Sequence, residues 1–197
     1  MLARIILILL VAMPGALMAD ANDGQFMGYQ LGAEYERTAN TQTQATANGN
    51  LNISAENPVK PDNVGDVALV ATVGTLTIGY INALTWFDSE AEAREFGREY
   101  VRLLRAKYPD WVFGREELDA NMNIVEVNLD KLPHNLRVRM TEGRRGDKAM
   151  WRISMTLSWL PGTQQAIAWE NLSRAQQIAE QQQDRKLLLE QSDTRGL

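Results

Sequence analysis

Two apolar runs and an amphipathic segment make up residues 67–111, which read VALVATVGTLTIGYINALTWFDSEAEAREFGREYVRLLRAKYPDW. The first run, residues 67–73, is rich in β-branched side chains and is short enough for a strand. After Gly74, large side chains fall on even positions from Leu76 to Trp86, as they do when one face of a strand is buried. Because the connection at Gly74 is too short for a crossover, the two strands should pair antiparallel.

The spacing of apolar residues then changes to that of a helix. Ser89 followed by Glu92 predicts a capping box at its start, and Pro109 predicts its end. Gly97 lies within this helix, where glycine is unfavourable unless something packs closely, so we expect it against the sheet near Gly79. The apolar stripe should cover the apolar face of the sheet, and it consists of Ala93, Phe96, Tyr100, Leu103 and Leu104.

Alternating apolar and polar residues recur in three later runs, at residues 124–129, 136–141 and 149–159. Thr163 follows a Pro-Gly pair and can cap a final helix, which frays or projects beyond Ala179. The resulting order is β-β-α-β-β-β-α. It predicts an α+β fold in which an antiparallel sheet of about five strands carries its helices on one face.

The composition divides the chain into four segments. They are a signal peptide (1–19), an N-terminal arm with a mobile Thr/Asn/Gln-rich loop (20–63), an α+β core (64–162), and a C-terminal helix with a frayed tail (163–197). The first segment has one early cation, an apolar run and then small residues, which is typical of a cleaved secretory signal, with cleavage after Ala19 or Ala21. No later run is apolar for long enough to span a bilayer, so the mature chain should lack a transmembrane segment.

The absence of cysteine and the formal net charge of −5 restrict the function. Without cysteine, thiol catalysis, thiolate metal sites and disulfide exchange are excluded. A secreted eukaryotic domain would more often carry disulfides, so the composition favours a bacterial periplasm. The mild negative charge argues against general nucleic-acid binding, and no nucleic-acid partner is expected.

Motifs for catalysis or metal binding are missing. The single histidine, His134, follows Pro133 in a predicted turn and is expected on the surface, and no Gly-x-Ser-x-Gly or His-Glu-x-x-His pattern accompanies it. Glu116, Glu117 and Asp119 form a compact acidic cluster, and paired carboxylates can hydrolyse glycosides. Their spacing in a short turn gives no reason to expect two facing carboxyl groups. We therefore expect no catalytic residue, metal or cofactor.

Aromatic residues at the end of the first helix, Tyr108 and Trp111, could form a sugar platform. Aromatic side chains at a helix end more often belong to the edge of a core. We therefore interpret both residues as part of the core.

Basic residues form the one non-random polar feature, on the hairpin from Leu136 to Met155, which we term the basic hairpin. Alternation places Arg137, Arg139 and Arg152 opposite the core residues and Arg144, Arg145 and Lys148 at the tip. Spaced guanidinium groups suit the phosphate or carboxylate groups of an anionic lipid, an acidic glycan or an acidic envelope protein. The alternative is a solvated sheet face that is partly neutralised by Glu126, Glu142 and Asp147.

Three functions remain open from the sequence. The first is a non-enzymatic periplasmic binding or envelope accessory module that meets its partner through the basic hairpin or the C-terminal helix. The second is an envelope hydrolase that uses carboxylates, which the missing motifs disfavour. The third is an inhibitor or immunity-type protein that blocks an envelope enzyme through residues 33–63.

The signal peptide can be tested directly. Expressed with a C-terminal tag in a Gram-negative host, the protein should appear in the osmotic-shock fraction. Its mass should be that of a chain beginning at Asp20 or Asn22, because signal peptidase removes the apolar segment. A variant that lacks residues 2–19 should stay in the cytosol. Recovery of the full-length precursor in the cytosol or inner membrane would show that the first segment is not a cleaved signal.

Overall fold

A computed structural model describes residues 23–55, 65–119 and 124–193, so the predicted signal peptide lies outside the described residues. The described ranges contain ten strands and two helices. Their bounds are β1 Gln25–Phe26, β2 Tyr29–Gln30, β3 Gln42–Ala45, β4 Leu51–Ala55, β5 Asp66–Ala71, β6 Ile78–Phe87, α1 Glu90–Lys107, β7 Val112–Leu118, β8 Ile124–Lys131, β9 His134–Arg145, β10 Lys148–Trp159 and α2 Gln164–Asp193.

Eight of the strands form one antiparallel sheet in the order β3-β4-β5-β6-β10-β9-β8-β7. The predicted α+β class with a large antiparallel sheet is thus confirmed. All five predicted strands are present, as β5, β6, β8, β9 and β10. The pairing of β6 with β10 lies at the centre of the sheet and joins the N-terminal and C-terminal halves of the chain.

The prediction of about five strands was wrong because it missed the edges of the sheet. β3 and β4 lie within the Thr/Asn/Gln-rich segment, and β7 lies where a turn was expected. Every residue of β3 and β7 is exposed, so neither strand shows an apolar alternation. Such strands are held by backbone hydrogen bonds to a neighbour, and their side chains carry no signal of that pairing.

Helix α1 begins and ends as its sequence predicts. Ser89 is the N-cap, and its Oγ accepts a hydrogen bond from the Glu92 backbone N–H at 3.3 Å. The helix packs on β6, β8, β9 and β10, where its Tyr100, Val101 and Leu104 are buried. Of the apolar residues that alternate along β10, Ile153, Met155 and Leu157 are fully buried, whereas Ala149 is exposed and Trp151 and Trp159 are half-buried. Tyr108 and Trp111 are buried too, as the core interpretation expected.

A bulge changes the face of β6. Tyr80 pairs with Val70 and Ile78 pairs with Ala71, so Gly79 is an extra residue between them. Beyond the bulge the buried side chains are those at odd positions, including Ile81 and Ala83. The prediction that the large even-numbered side chains of this strand share the core face was therefore wrong after Gly79. One extra residue in a strand moves every later side chain to the opposite face.

Helix α2 does not share the face that α1 covers, so the expectation of helices on one face was wrong. Its Trp169 lies where a Cβ at Gly79 would overlap the ring, and the Trp169 Nε1–H donates to the Thr77 carbonyl at 3.0 Å. Gly79 thus packs under α2, whereas Gly97 packs on the sheet. A Cβ added at Gly97 would lie 3.3 Å from Ile153 Cδ1. The two glycines that the sequence placed together serve different helices.

Most of the C-terminal half of α2 is exposed. Every residue from Ile178 to Gln191 is exposed, over a helix length of about 21 Å. Its exposed large apolar side chains include Leu187, Leu188 and Leu189. Among the described residues, neither helix is long and apolar enough to cross a membrane.

The register of β6 can be tested with two truncations of equal size. Ile81→Ala should reduce the free energy of unfolding by about 2–5 kcal/mol, because it leaves a cavity in the core. Leu84→Ala should cost about half of that or less, since Leu84 is half-buried on the other face. Urea unfolding measures both. A larger loss for Leu84→Ala than for Ile81→Ala would contradict the reversed register.

The buried hydroxyl of Tyr100 gives a second stability test. Within the described residues this hydroxyl has no hydrogen-bond partner, so Tyr100→Phe should stabilise the protein by about 1 kcal/mol at pH 7. Burial, with a smaller electrostatic contribution from Tyr108, raises the pKa of Tyr100 well above its ordinary value. Above about pH 10 the unfolded chain loses this proton while the folded chain retains it, so stability falls as pH rises. Urea midpoints of wild type and variant should therefore diverge at alkaline pH, and parallel curves would contradict this.

Candidate functional site

The sheet face away from α1 is lined with polar side chains, and we term it the open face. Strand register places the open-face residues of β6, β10, β9 and β8 in rows across the sheet. One row begins at Tyr80 and the next at Asn82, which pairs with Thr156 of β10. The residues that form these two rows are Tyr80, Ser158, Asn135 and Asp130, then Asn82, Thr156, Arg137 and Asn128.

Arg137 lies at the centre of the open face, between Thr156 on one side and Asn128 on the other. Its neighbours bond to one another: the Thr156 hydroxyl donates to Asn82 Oδ1 at 3.0 Å, and Asn135 Nδ2 donates to Asp130 at 2.6 Å. Arg137 itself is half-buried, and among the described residues its guanidinium group has no hydrogen-bond or ion-pair partner. Arg137 is therefore a positive charge whose guanidinium N–H groups have no acceptor among the described residues.

Arg139 and Arg152 are two further basic residues on the open face. Arg139 is the next open-face position on β9, and it forms an ion pair of 3.4 Å with Glu126. Arg152 is its diagonal neighbour on β10, about 7–8 Å away. The Arg152 Nε–H donates to Thr141 Oγ1 at 2.9 Å, and its guanidinium carbon lies 5.8 Å from the centre of the Trp86 ring.

Trp86 lies across the open face beside Arg152. Its Nε1–H donates to Asp66 at 3.1 Å, and its far edge is 3.2 Å from where a Cβ at Gly143 would lie. The indole therefore reaches from β6 to β9 and is fixed at both ends. The sequence assigned Trp86 to the core and so missed it as a candidate surface residue.

The three tip residues of the basic hairpin are separate from the three arginines on the open face. Arg144 donates to the Asp147 carbonyl at 3.2 Å, and Lys148 forms an ion pair of 2.6 Å with Asp88. Arg145 pairs in register with Lys148, is exposed, and has no side-chain partner among the described residues. Of the six basic residues singled out in the sequence, three thus line the open face and three lie at the tip.

The acidic cluster is dispersed by strand β7. Glu116 pairs with Arg105 at 3.2 Å, Glu117 pairs with Arg115 at 2.8 Å, and Asp119 pairs with Arg94. Each carboxylate thus has its own arginine. In the part of the chain that the structure describes, no three His, Asp or Glu side chains are grouped closely enough to hold a metal ion.

The position of His134 differs from the expected surface turn. The residue is the first of β9 and is buried, with the N-terminal arm packed on it. An added Cβ at Gly24 of that arm would lie 2.9 Å from His134 Nε2. Alternation within β9 places this side chain on the core face, which the preceding turn concealed in the sequence.

A cleft of about 460 Å³ opens at the Tyr80 end of the open face. Its walls come from the β3–β4 turn, from Val70 and Tyr80 on the sheet, and from Trp169, Ser173 and neighbouring residues of α2. These segments are separated by up to about 130 residues in the chain, so no local sequence pattern marked the cleft.

Comparisons of the chain with protein-family models, with curated proteins and with solved structures found no match.

Proposed function

We propose that this protein is a non-enzymatic binding module of the bacterial periplasm that holds an anionic glycan on the open face of its sheet. The observation that carries the proposal is Arg137, a half-buried cation whose donors have no partner within the described residues. Guanidinium groups bind carboxylate and phosphate through paired hydrogen bonds, so the group that best fits this position is the acid of a ligand.

The surroundings of Arg137 favour a glycan over a protein segment. Protein interfaces are centred on apolar and aromatic anchors that fill pockets in the partner. The neighbours of Arg137 are instead polar: the half-buried amides of Asn128 and Asn135, and the hydroxyl of Thr156, which is buried and bonded to Asn82. Side-chain amides exchange hydrogen bonds with sugar hydroxyls, and the half-buried Ser154 extends the polar surface along β10.

A membrane surface is a poorer fit. Peripheral binding to anionic lipid combines basic residues with apolar side chains that enter the interface. Among the described residues, none of the exposed large apolar side chains belongs to β9 or β10, which carry the whole basic hairpin. The net charge of −5 also opposes a general attraction to anionic surfaces.

The positions of the carboxylates give little support to the hydrolase hypothesis. Glycosidases need two carboxyl groups that face each other across the scissile bond. Glu116 and Glu117 are consecutive residues of one strand and so point to opposite faces, and each is held by an arginine. We therefore propose that the protein binds its ligand without catalysing a reaction.

The anion site can be tested by comparing two arginines. Arg137→Gln should weaken binding to polygalacturonate by tenfold or more, because a hydrogen bond to a charged group contributes about 1.5–3 kcal/mol. Arg145→Gln is the matched control, since it removes one unpaired charge from the tip, and it should change affinity by less than about twofold. Wild-type affinity, measured by calorimetry, should fall with added salt.

Equal losses from the two substitutions would indicate a non-specific charge effect and contradict the site. Preferential binding to vesicles of anionic lipid, with no binding to the polysaccharide, would replace the glycan with a membrane. Urea unfolding should show that both variants keep the wild-type stability within about 0.5 kcal/mol, as surface substitutions usually do.

A further inference from the structure

We infer that the cleft beside Tyr80 is a subsite for an uncharged sugar ring, with Asn50 as its hydrogen-bond donor and Tyr80 as its platform. The inference rests on the proposed function, because it assigns the cleft to the same glycan. The volume of about 460 Å³ lies within the range of small-molecule sites, about 300–1,000 Å³.

Asn50 supplies the first argument because its amide is both buried and incompletely bonded. Only 7% of the residue is exposed. Its Oδ1 accepts hydrogen bonds from the Ser173 hydroxyl and, at 3.2 Å, from Gln177 Nε2. Among the described residues, no hydrogen bond from Asn50 Nδ2 is present, so both of its hydrogens are unused.

The orientation of this amide is fixed by its neighbours. Gln177 Nε2 also donates to the Asn48 carbonyl at 2.9 Å, and a carbonyl oxygen can only accept. The nitrogen of Gln177 therefore faces Ser173, to which it donates at 3.0 Å, and also Asn50 at 3.2 Å. The oxygen of Asn50 faces this nitrogen because the reverse orientation would bring two amide NH2 groups together. Asn50 Nδ2 is left as the free donor.

The free donor borders open space. Two fully enclosed side-chain nitrogen or oxygen atoms of the described residues lack a hydrogen bond, and they belong to Arg94 and Tyr100. Asn50 Nδ2 is therefore not enclosed, and the open space beside Asn50 is the cleft that it lines. A buried amide that directs unused hydrogens into a cleft is suited to a ligand hydroxyl or carbonyl.

Tyr80 supplies the apolar surface that a sugar ring needs. Tyr80 is 38% exposed as a residue, and its ring meets Trp169 edge to face, with the ring centres 5.5 Å apart. Trp169 is held by its bond to the Thr77 carbonyl, so the aromatic pair is fixed before a ligand arrives. The C–H face of a pyranose ring is apolar and can pack on such a surface while its hydroxyls reach polar groups at the rim.

The charges at the rim favour an uncharged ring here. Glu170 and Arg174 are one helical turn apart on α2, and both line the cleft. Among the described residues neither has an ion-pair partner, so the rim carries one charge of each sign. An acid group would gain from Arg174 but would be repelled by Glu170.

The cleft and Arg137 are placed for one ligand. Tyr80 pairs with Ser158, Ser158 pairs with Asn135, and Arg137 is the next position on the same face of β9. Two strand spacings and one step of two residues separate Tyr80 from Arg137 by about 12 Å. A short oligosaccharide can therefore place an uncharged ring in the cleft and an acid group on Arg137.

The test uses the mature protein and a panel of neutral tetrasaccharides built from glucose or N-acetylglucosamine, with binding followed by ligand-observed NMR. Asn50→Asp keeps the acceptor for Ser173 and Gln177 but replaces the free donor with an oxygen, so it should weaken binding at least tenfold. Gln176→Glu is the control: it replaces an amide with a carboxylate on α2 outside the cleft, keeps the acceptor for the Gly74 N–H and removes the donor to Thr75 Oγ1, and it should alter affinity by less than about twofold.

A second pair guards against a folding defect in Asn50→Asp. Tyr80→Ala should weaken binding at least tenfold, whereas Tyr80→Phe keeps the ring and should bind like wild type, with urea unfolding as the check on structure. Arg137→Gln should retain binding of the neutral tetrasaccharides, which separates failure of the anion site from failure of the cleft. The cleft assignment is overturned if wild type binds none of the tetrasaccharides, or if Tyr80→Ala binds as tightly as Tyr80→Phe.

Discussion

The antiparallel pairing of β6 with β10 is the contact on which the rest of the structure depends. It runs from the Trp151–Phe87 pair to the Ser158–Tyr80 pair and joins two segments that are about seventy residues apart. On one face it places Ile81 beside Leu157, and both side chains are fully buried. Burial of this apolar surface is the main stabilising term of the fold, because it removes the largest contiguous set of apolar side chains from water.

The same pairing produces the open face. Successive side chains of β6 and β10 alternate between the two faces of the sheet, and α1 covers only one of these faces. The uncovered side holds Asn82, Ser154 and Thr156, which tolerate water and bond to one another or to the backbone. A sheet face that is rich in hydroxyl and amide groups is stable without a complete second layer. Helix α2 packs on it at the Tyr80 end, and Arg137 and Asn128, which are half-buried, remain accessible to a ligand.

The bulge at Gly79 connects the open face to α2. The extra residue reverses the orientation of β6, which brings Tyr80 onto the open face, and the missing side chain lets Trp169 approach the backbone. Trp169 then positions α2 beside the β3–β4 turn, where Ser173 and Gln177 bond to Asn50. The cleft is thus a consequence of one inserted residue, and β-bulges commonly redirect side chains in this way.

The sequence alone determined the α+β class, both helices with their N-caps, and the five strands that have an apolar alternation. These features depend on neighbouring residues, whose spacing and capping chemistry can be read directly. It also placed Arg137, Arg139 and Arg152 on the polar side of the basic hairpin, because alternation within β9 and β10 is regular. The periplasmic location stays a prediction. The tertiary structure decided the edge strands, the face of β6 after Gly79, the burial of His134 and the cleft at Asn50. Each of these depends on which distant segment pairs or packs there, and a backbone hydrogen bond, a bulge or a ring lying over a glycine leaves no periodic signal in the chain.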